Sequence, residues 1–364
     1  MQHATPDVRA RKTGDEGAAA VVIAGSGAMQ GARTVPSEDV DRAFGMPRGK
    51  LRGRAGIESL AYVAENENEL TLGQAAARQA LCGSGTAACE LDWIIATSET
   101  HHNYPSLAAQ LHAGLVAREN CAALDVGGGC MGLLNAFAVA QSVLAVGVSR
   151  AVAVVSADVH SRSLTPGRVA GEFGGLFGDG ASAFVLRSGG GDVGDAPNQH
   201  TGYVFGEFVF GCVGQYASAV SVSDDKDGGL TLRFDGEALS RAAITRIEKT
   251  ITAVEQRSGI RRAEVAAFAT HQPNPRLMAL VARQCNVPES AFPEVARKAG
   301  NLGASTCGTA LHLALGEARK RPVLERRPIF LASLGPGLLF GGGWAQARRG
   351  GLLRCRGVPS ARDL

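Results

Sequence analysis

Between Cys121 and Gly147 the sequence reads CAALDVGGGCMGLLNAFAVAQSVLAVG. Leu124 to Val126 reads as the end of a buried strand. Met131 to Val146 is an apolar, helix-forming run that is interrupted by Gly132, Asn135 and Gln141 and is too short to span a bilayer. A helix therefore begins at or beside Cys130. Its first N–H groups lack intrahelical partners and carry the positive end of the macrodipole, which predicts a stabilised thiolate and a lowered pKa. Gly127, Gly128 and Gly129 permit a sharp turn and leave the approach to the sulfur open. The strand–turn–helix order is that of a nucleophile elbow with a thiol in place of a hydroxyl. A buried structural cysteine in a glycine-rich turn has the same local sequence, so the rest of the chain has to separate the two.

The surrounding chain is that of a globular protein. Its 364 residues suffice for one large or two medium domains, with 45% hydrophobic and 20% charged residues, and 48 glycines point to tight turns or close backbone approaches. A net charge of +3 gives no whole-molecule field for nucleic acid. The eight cysteines include no C-x-x-C pair and no close Cys/His spacing, which argues against a zinc site and a disulfide framework. Residues 1–19 read as a disordered leader and not a signal peptide, and no later segment reads as a membrane span; the cytoplasm is the expected compartment.

Val21 to Ala24 reads as a short strand followed by a glycine-rich turn, GSGAMQG, which lacks the spacing of a dinucleotide fingerprint. From Glu69 the pattern becomes regular: a helix in LTLGQAAARQALC, a strand in DWIIATS, a helix after Pro105, the Cys130 unit, and a strand in RAVAVVSAD. This alternation predicts βαβ units and a mainly parallel sheet. FGDGASAFVL adds a turn and a strand, and residues 189–202 read as a linker between a first half, 20–188, and a second, 203–348, with a tail at 349–364. In the second half WIIATSET is matched by VAAFATHQ, the Cys130 turn and helix by the Asn301 turn and helix, and VAVVSAD by IFLASLG. Two similar halves imply one site between them, outside the carboxyl ends of the strands.

Cys130 in GGGCMG, His271 in ATHQPNP and Asn301 in AGNLGAS occupy equivalent strand-end or turn positions. Together with the FGDGA turn and the terminal GPG and GGG segments, these motifs resemble the β-ketoacyl-acyl carrier protein synthase III family over roughly residues 20 to 348. The resemblance implies an α/β, thiolase-like, pseudo-duplicated αβαβα fold, usually a homodimer, and a ping-pong reaction without a metal or redox cofactor. Cys130 would take an acyl group from a thioester, while His271 and Asn301 would bond the thioester oxygen of the extender as decarboxylation leaves an enolate. The backbone N–H groups of Cys130 and Gly337 would form the oxyanion hole. Tyr104 stands where the family usually has a Phe that reaches across the dimer into the acyl pocket.

The carrier side departs from the pattern. The family's adenine-stacking Trp before an R-T-G-I segment falls here near Lys50, and the segment is RAGI. Arg54 is kept, and Arg276 matches a basic residue at the tunnel mouth. With Arg48, Lys50 and Arg52 it would make a basic rim suited to an acidic carrier protein, whereas the run alone reads as a solvated loop. An FGG insertion before LFGDG lies near that rim. The expected substrates are acyl-CoA or acyl carrier protein thioesters, with no nucleic-acid or membrane partner. Three functions follow for test: condensation with a malonyl-type thioester, acyl transfer to an alcohol, amine or carrier thiol without C–C bond formation, and a non-catalytic carrier-binding subunit.

Overall fold

The computed structural model describes residues 20–189, 202–218, 220–224, 230–234 and 236–347, with only the backbone described between 220 and 240. The leader, the tail and the body of the linker between the halves lie outside the described residues. Ten strands form one sheet: β1 (Val21–Gln30), β2 (Trp93–Thr97), β3 (Ala122–Asp125), β4 (Ala151–Val159), β5 (Asp179–Ser188), β6 (Tyr203–Phe205), β7 (Val209–Cys212), β8 (Ala267–Thr270), β9 (Ile329–Gly335) and β10 (Leu339–Ala347). Their order is β8-β9-β10-β6-β1-β5-β4-β2-β3, with β7 added on β10.

The internal repeat is visible in the pairing. β1 is antiparallel to β5, β5 antiparallel to β4, and β4 parallel to β2. β6 is antiparallel to β10, β10 antiparallel to β9, and β9 parallel to β8. The halves meet where β1 and β6 pair through Val22 with Val204 and Ile23 with Tyr203. The sheet is therefore mixed, not mainly parallel. Gly335 to Leu339 leaves no room for a crossover helix, so β9 and β10 form a hairpin and must run antiparallel.

Alternating side chains build five layers. Helices α1 (Glu69–Ser84) and α2 (Leu107–Leu115) pack with Ile94 and Ala96 on one outer face. Ile95, from the opposite face of the same strand, packs with α3 (Gly132–Ala145) and α6 (Ser305–Arg319) in the middle. Ala267 and Ala269 join that central layer, while Phe268 faces α4 (Gly236–Ser258) and α5 (Pro275–Cys285) on the other outer face. This period of two across a buried sheet is the thiolase-like α/β architecture that the resemblance implied.

Two local readings change. GSGAMQG is not a turn, because β1 runs on through it to Gln30. A Cβ on Gly25 would lie 2.1 Å from the Ala80 carbonyl and one on Gly27 2.2 Å from that of Ala76, so these glycines let α1 lie against the strand. β3, expected to be buried, is the sheet's edge strand, with Ala123, Leu124 and Asp125 exposed.

Candidate active site

Cys130 sits in a single 3₁₀ turn, Gly129–Met131, between β3 and α3. Gly128 and Gly129 hold φ of 136° and 56°, a region that favours glycine. The glycines also admit neighbours: a Cβ on Gly129 would meet Pro336 Cδ at 2.6 Å, and one on Gly132 would meet Thr97 Oγ1 at 2.0 Å. Asn135 Nδ2 donates to the Gly127 carbonyl at 3.0 Å and ties the turn to the first turn of α3. From the other half, Ser333 Oγ donates to the Cys130 carbonyl at 2.7 Å.

The HQPN motif divides its labour. Gln272 accepts from the Val295 and Ala296 N–H groups and donates to the Pro293 carbonyl; Asn274 caps α5 by accepting from Leu277 N–H at 2.9 Å. His271 follows the end of β8, where its backbone N–H donates to the Ala332 carbonyl of β9. Burial lowers its pKa to about 4, against a smaller raising by Glu99 and the Gly303 backbone, so the imidazole is neutral.

Asn301 is held by its backbone to the FGDGA turn: its N–H donates to Leu176 O at 2.8 Å and its carbonyl accepts from Gly178 N–H at 3.0 Å. Its side-chain oxygen accepts from Gly303 N–H at 3.0 Å and from the Thr306 hydroxyl at 3.2 Å. A backbone N–H can only donate, so the amide's orientation is fixed and its NH₂ is what it offers outward.

The thiol itself differs from expectation. Burial, then the Glu99 carboxylate, then the charge of Asp158, push the Cys130 pKa well above the ordinary thiol range, and a lowering by its own backbone N–H does not outweigh them. Glu99 follows β2. Burial pushes its carboxyl up, but the hydrogen bond and charge of His160 prevail and leave it lowered, with Cys130 and His271 adding to the lowering. His160 Nε2 lies 3.6 Å from Glu99 Oε2, and its Nδ1 bonds the Gly178 carbonyl at 3.2 Å. Burial and the charge of Glu99 raise Asp158 to about 7. Sequence reasoning missed Glu99, Asp158 and His160, although they obey the rule that singled out His271: polar residues at the carboxyl end of a buried strand.

The remaining candidates are spread more widely. Gly337 lies in the turn Pro336–Leu338 with φ 77°, joined to the Cys130 turn through the Pro336–Gly129 contact. Tyr104 is 98% exposed. Arg276 starts α5 beside the short helix Leu51–Ala55 that carries Arg54, since a Cβ on Gly56 would lie 3.5 Å from Arg276 Cγ. Arg48 pairs with Glu38 and Lys50 with Glu172, so part of the basic rim is neutralised. Glu172 lies in the short helix Gly171–Gly174, which overlaps the FGG segment and packs on Phe44 and Met46. Among the described residues no cluster of His, Cys, Asp and Glu could hold a metal ion, and no helix is long and apolar enough to cross a membrane.

A doubled five-layer sheet with a cysteine at the start of its central helix defines a thiolase-like acyl-transferring enzyme. Residues 256–346 match 3-Oxoacyl-[acyl-carrier-protein (ACP)] synthase III C terminal, and residues 124–201 match 3-Oxoacyl-[acyl-carrier-protein (ACP)] synthase III. A β-ketoacyl-[acyl-carrier-protein] synthase III of Rubrobacter xylanophilus is 30% identical over 288 residues, covering 78% of this chain and 86% of its own. The chain belongs to the β-ketoacyl-acyl carrier protein synthase III family. It shares the fold of FabH from Pseudomonas aeruginosa PAO1, with a TM-score of 0.78, 22% identity and coverage of 91% of this chain and 99% of that one. The priming β-ketosynthase of the R1128 polyketide pathway is similar, with a TM-score of 0.78, 24% identity and coverage of 90% and 96%.

Proposed function

We propose that this condensing enzyme takes an acyl group from a CoA or carrier-protein thioester onto Cys130 and joins it to a malonyl-type thioester with loss of carbon dioxide. The observation that carries the reading is the fixed amide of Asn301, whose oxygen is occupied by Gly303 and Thr306, together with a neutral His271. Two neutral donors suit the oxygen on which enolate charge develops, and a thiolate is both a nucleophile and a leaving group. The Cys130 and Gly337 N–H groups would take the carbonyl oxygen in the acylation step. Arg54 and Arg276, with Lys50 beside them, would meet the carrier. Incubation with acyl thioesters, intact-protein mass spectrometry and measurement of carbon dioxide from a malonyl thioester test it.

A second reading, acyl transfer to an alcohol, amine or thiol, is favoured by one observation: the Glu99 carboxylate beside Cys130 is a base that can also take an acceptor's proton, a step that decarboxylative condensation lacks. Both readings share the acylation half-reaction. For assembly we propose a homodimer across the exposed edge strand β3 and Tyr104, with Val116, Val146 and Val148 exposed nearby in sequence. Light scattering at micromolar concentration tests this: a monomer would contradict it.

A further inference from the structure

The acylation step poses a problem that the helix start does not solve. Cys130 is buried, and a carboxylate stands beside it, so the resting sulfur is a thiol. A thiol attacks a thioester well only if its proton leaves as the S–C bond forms. His271 is directed to another task. Its imidazole is neutral and weakly basic in this site.

Glu99 is held for the purpose by its neighbours. Its backbone N–H donates to Asp158 Oδ1 at 2.6 Å, and the Ser98 hydroxyl donates to the same oxygen at 3.4 Å, which fixes the strand exit. His160, fixed by Gly178 O and lying 4.6 Å from the Phe177 ring, presents Nε2 to the carboxylate. Gly303 lets this cluster close up, since a Cβ there would lie 2.7 Å from Asp158 Oδ2 and 2.8 Å from His160 Cε1. Among the described residues, Glu99 Oε1 is buried and has no hydrogen-bond partner. A buried carboxylate oxygen left without a donor costs stability and leaves a lone pair free to take a proton.

We propose that Glu99 is the base of the acylation half-reaction, taking the Sγ proton of Cys130 as the sulfur attacks the thioester carbonyl and returning it to the departing carrier thiol. The Sγ–H bond breaks and an O–H bond forms on Glu99; the Sγ–C bond forms and the C–S bond to the carrier breaks; the leaving sulfur recovers the proton. Glu99 ends as it began. As the S–C bond forms the sulfur becomes strongly acidic, so a carboxylate suffices although it could not ionise the resting thiol. His160, charged because Glu99, Asp158 and Asp179 outweigh its burial, keeps Glu99 ionised, while Cys130, His271 and Asp158 are the other titratable groups around it. His160 and Asp158 are positioning residues.

The inference rests on the acyl-enzyme reading above, and the test separates the two. Acylation of Cys130 by a panel of acyl-CoA thioesters is followed by rapid-quench mass spectrometry of the intact protein, alongside alkylation by iodoacetamide. In Glu99→Gln acylation should slow by about 10²-fold. Alkylation of Cys130 should quicken, because removal of the negative charge lowers the thiol pKa. A merely structural role would move both rates the same way or neither, and either outcome overturns the proposal. The wild-type enzyme supplies a second measurement that does not depend on the variant's folding. From pH 6 to 8 its acylation rate should change only as Asp158 titrates at about 7, well short of the rise of about tenfold per pH unit that marks attack by free thiolate and overturns the proposal. If wild-type protein forms no acyl-enzyme with any thioester, the acyl-enzyme reading fails and this proposal falls with it.

Discussion

Ser333 on β9 donates its hydroxyl hydrogen to the main-chain carbonyl of Cys130 at 2.7 Å, across 203 positions of sequence, so the second half of the chain holds the Cys130 turn of the first. Ser333 is 1% exposed. Ser333→Ala leaves that carbonyl without its partner in a buried site, and a loss of about 1–3 kcal/mol is expected. Urea unfolding measures the loss, and rapid-quench acylation should slow as the turn loosens. An unchanged urea midpoint would contradict the role given to this bond.

The Asn301 amide should matter in only one half-reaction. Asn301→Ala removes the donor proposed for the enolate oxygen, and decarboxylation of a malonyl thioester should fall by about 10²–10³-fold. Acylation of Cys130 should stay nearly intact. Parallel measurement of the acyl-enzyme and of carbon dioxide checks both, and equal losses in the two steps would contradict the assignment.

Gly25→Ala tests the close approach of β1 and α1. The added methyl would lie 2.1 Å from the Ala80 carbonyl oxygen and 2.9 Å from Ser84 Cβ, neither at the end of a flexible chain. A loss of about 1–3 kcal/mol is expected from overpacking. Chemical denaturation gives the value, and wild-type stability would show that the helix can step back.

Much of the architecture was legible because period and punctuation agree. α5 begins at Pro275 after the Asn274 cap and ends at Cys285, as PRLMALVARQC reads, and Cys130, His271 and Asn301 stood at strand ends or turns. What was not legible depended on tertiary partners. Gly25 and Gly27 read as a turn because the reason for them is a helix more than forty residues away. Leu124 read as buried because a sequence does not say which strand forms the edge. The thiol pKa was misjudged because the helix start was visible locally, whereas Glu99 and the burial around Cys130 arise only on folding.

The His160 imidazole links stability to pH. Burial lowers its pKa, but the hydrogen bond and charge of Glu99, with Asp158 and Asp179, raise it to about 9 from 6.5. The folded state thus holds the proton more tightly, and this contribution is complete below pH 6.5 and is lost as pH rises through 9. Wild-type protein should lose more stability between pH 6 and 9.5 than His160→Gln, by urea midpoints at both pH values. Asp158 titrates in the same window, so the difference between the two proteins is the readout. Equal losses would show that His160 is not charged in the fold.

The most direct measurement starts from enzyme acylated on Cys130, freed of excess donor and mixed with a malonyl thioester. Carbon dioxide and a 3-oxoacyl thioester should appear together, one of each per acyl group lost from Cys130. If the acyl group instead passes to an alcohol, amine or thiol acceptor and no malonyl thioester releases carbon dioxide, condensation is contradicted and simple acyl transfer takes its place.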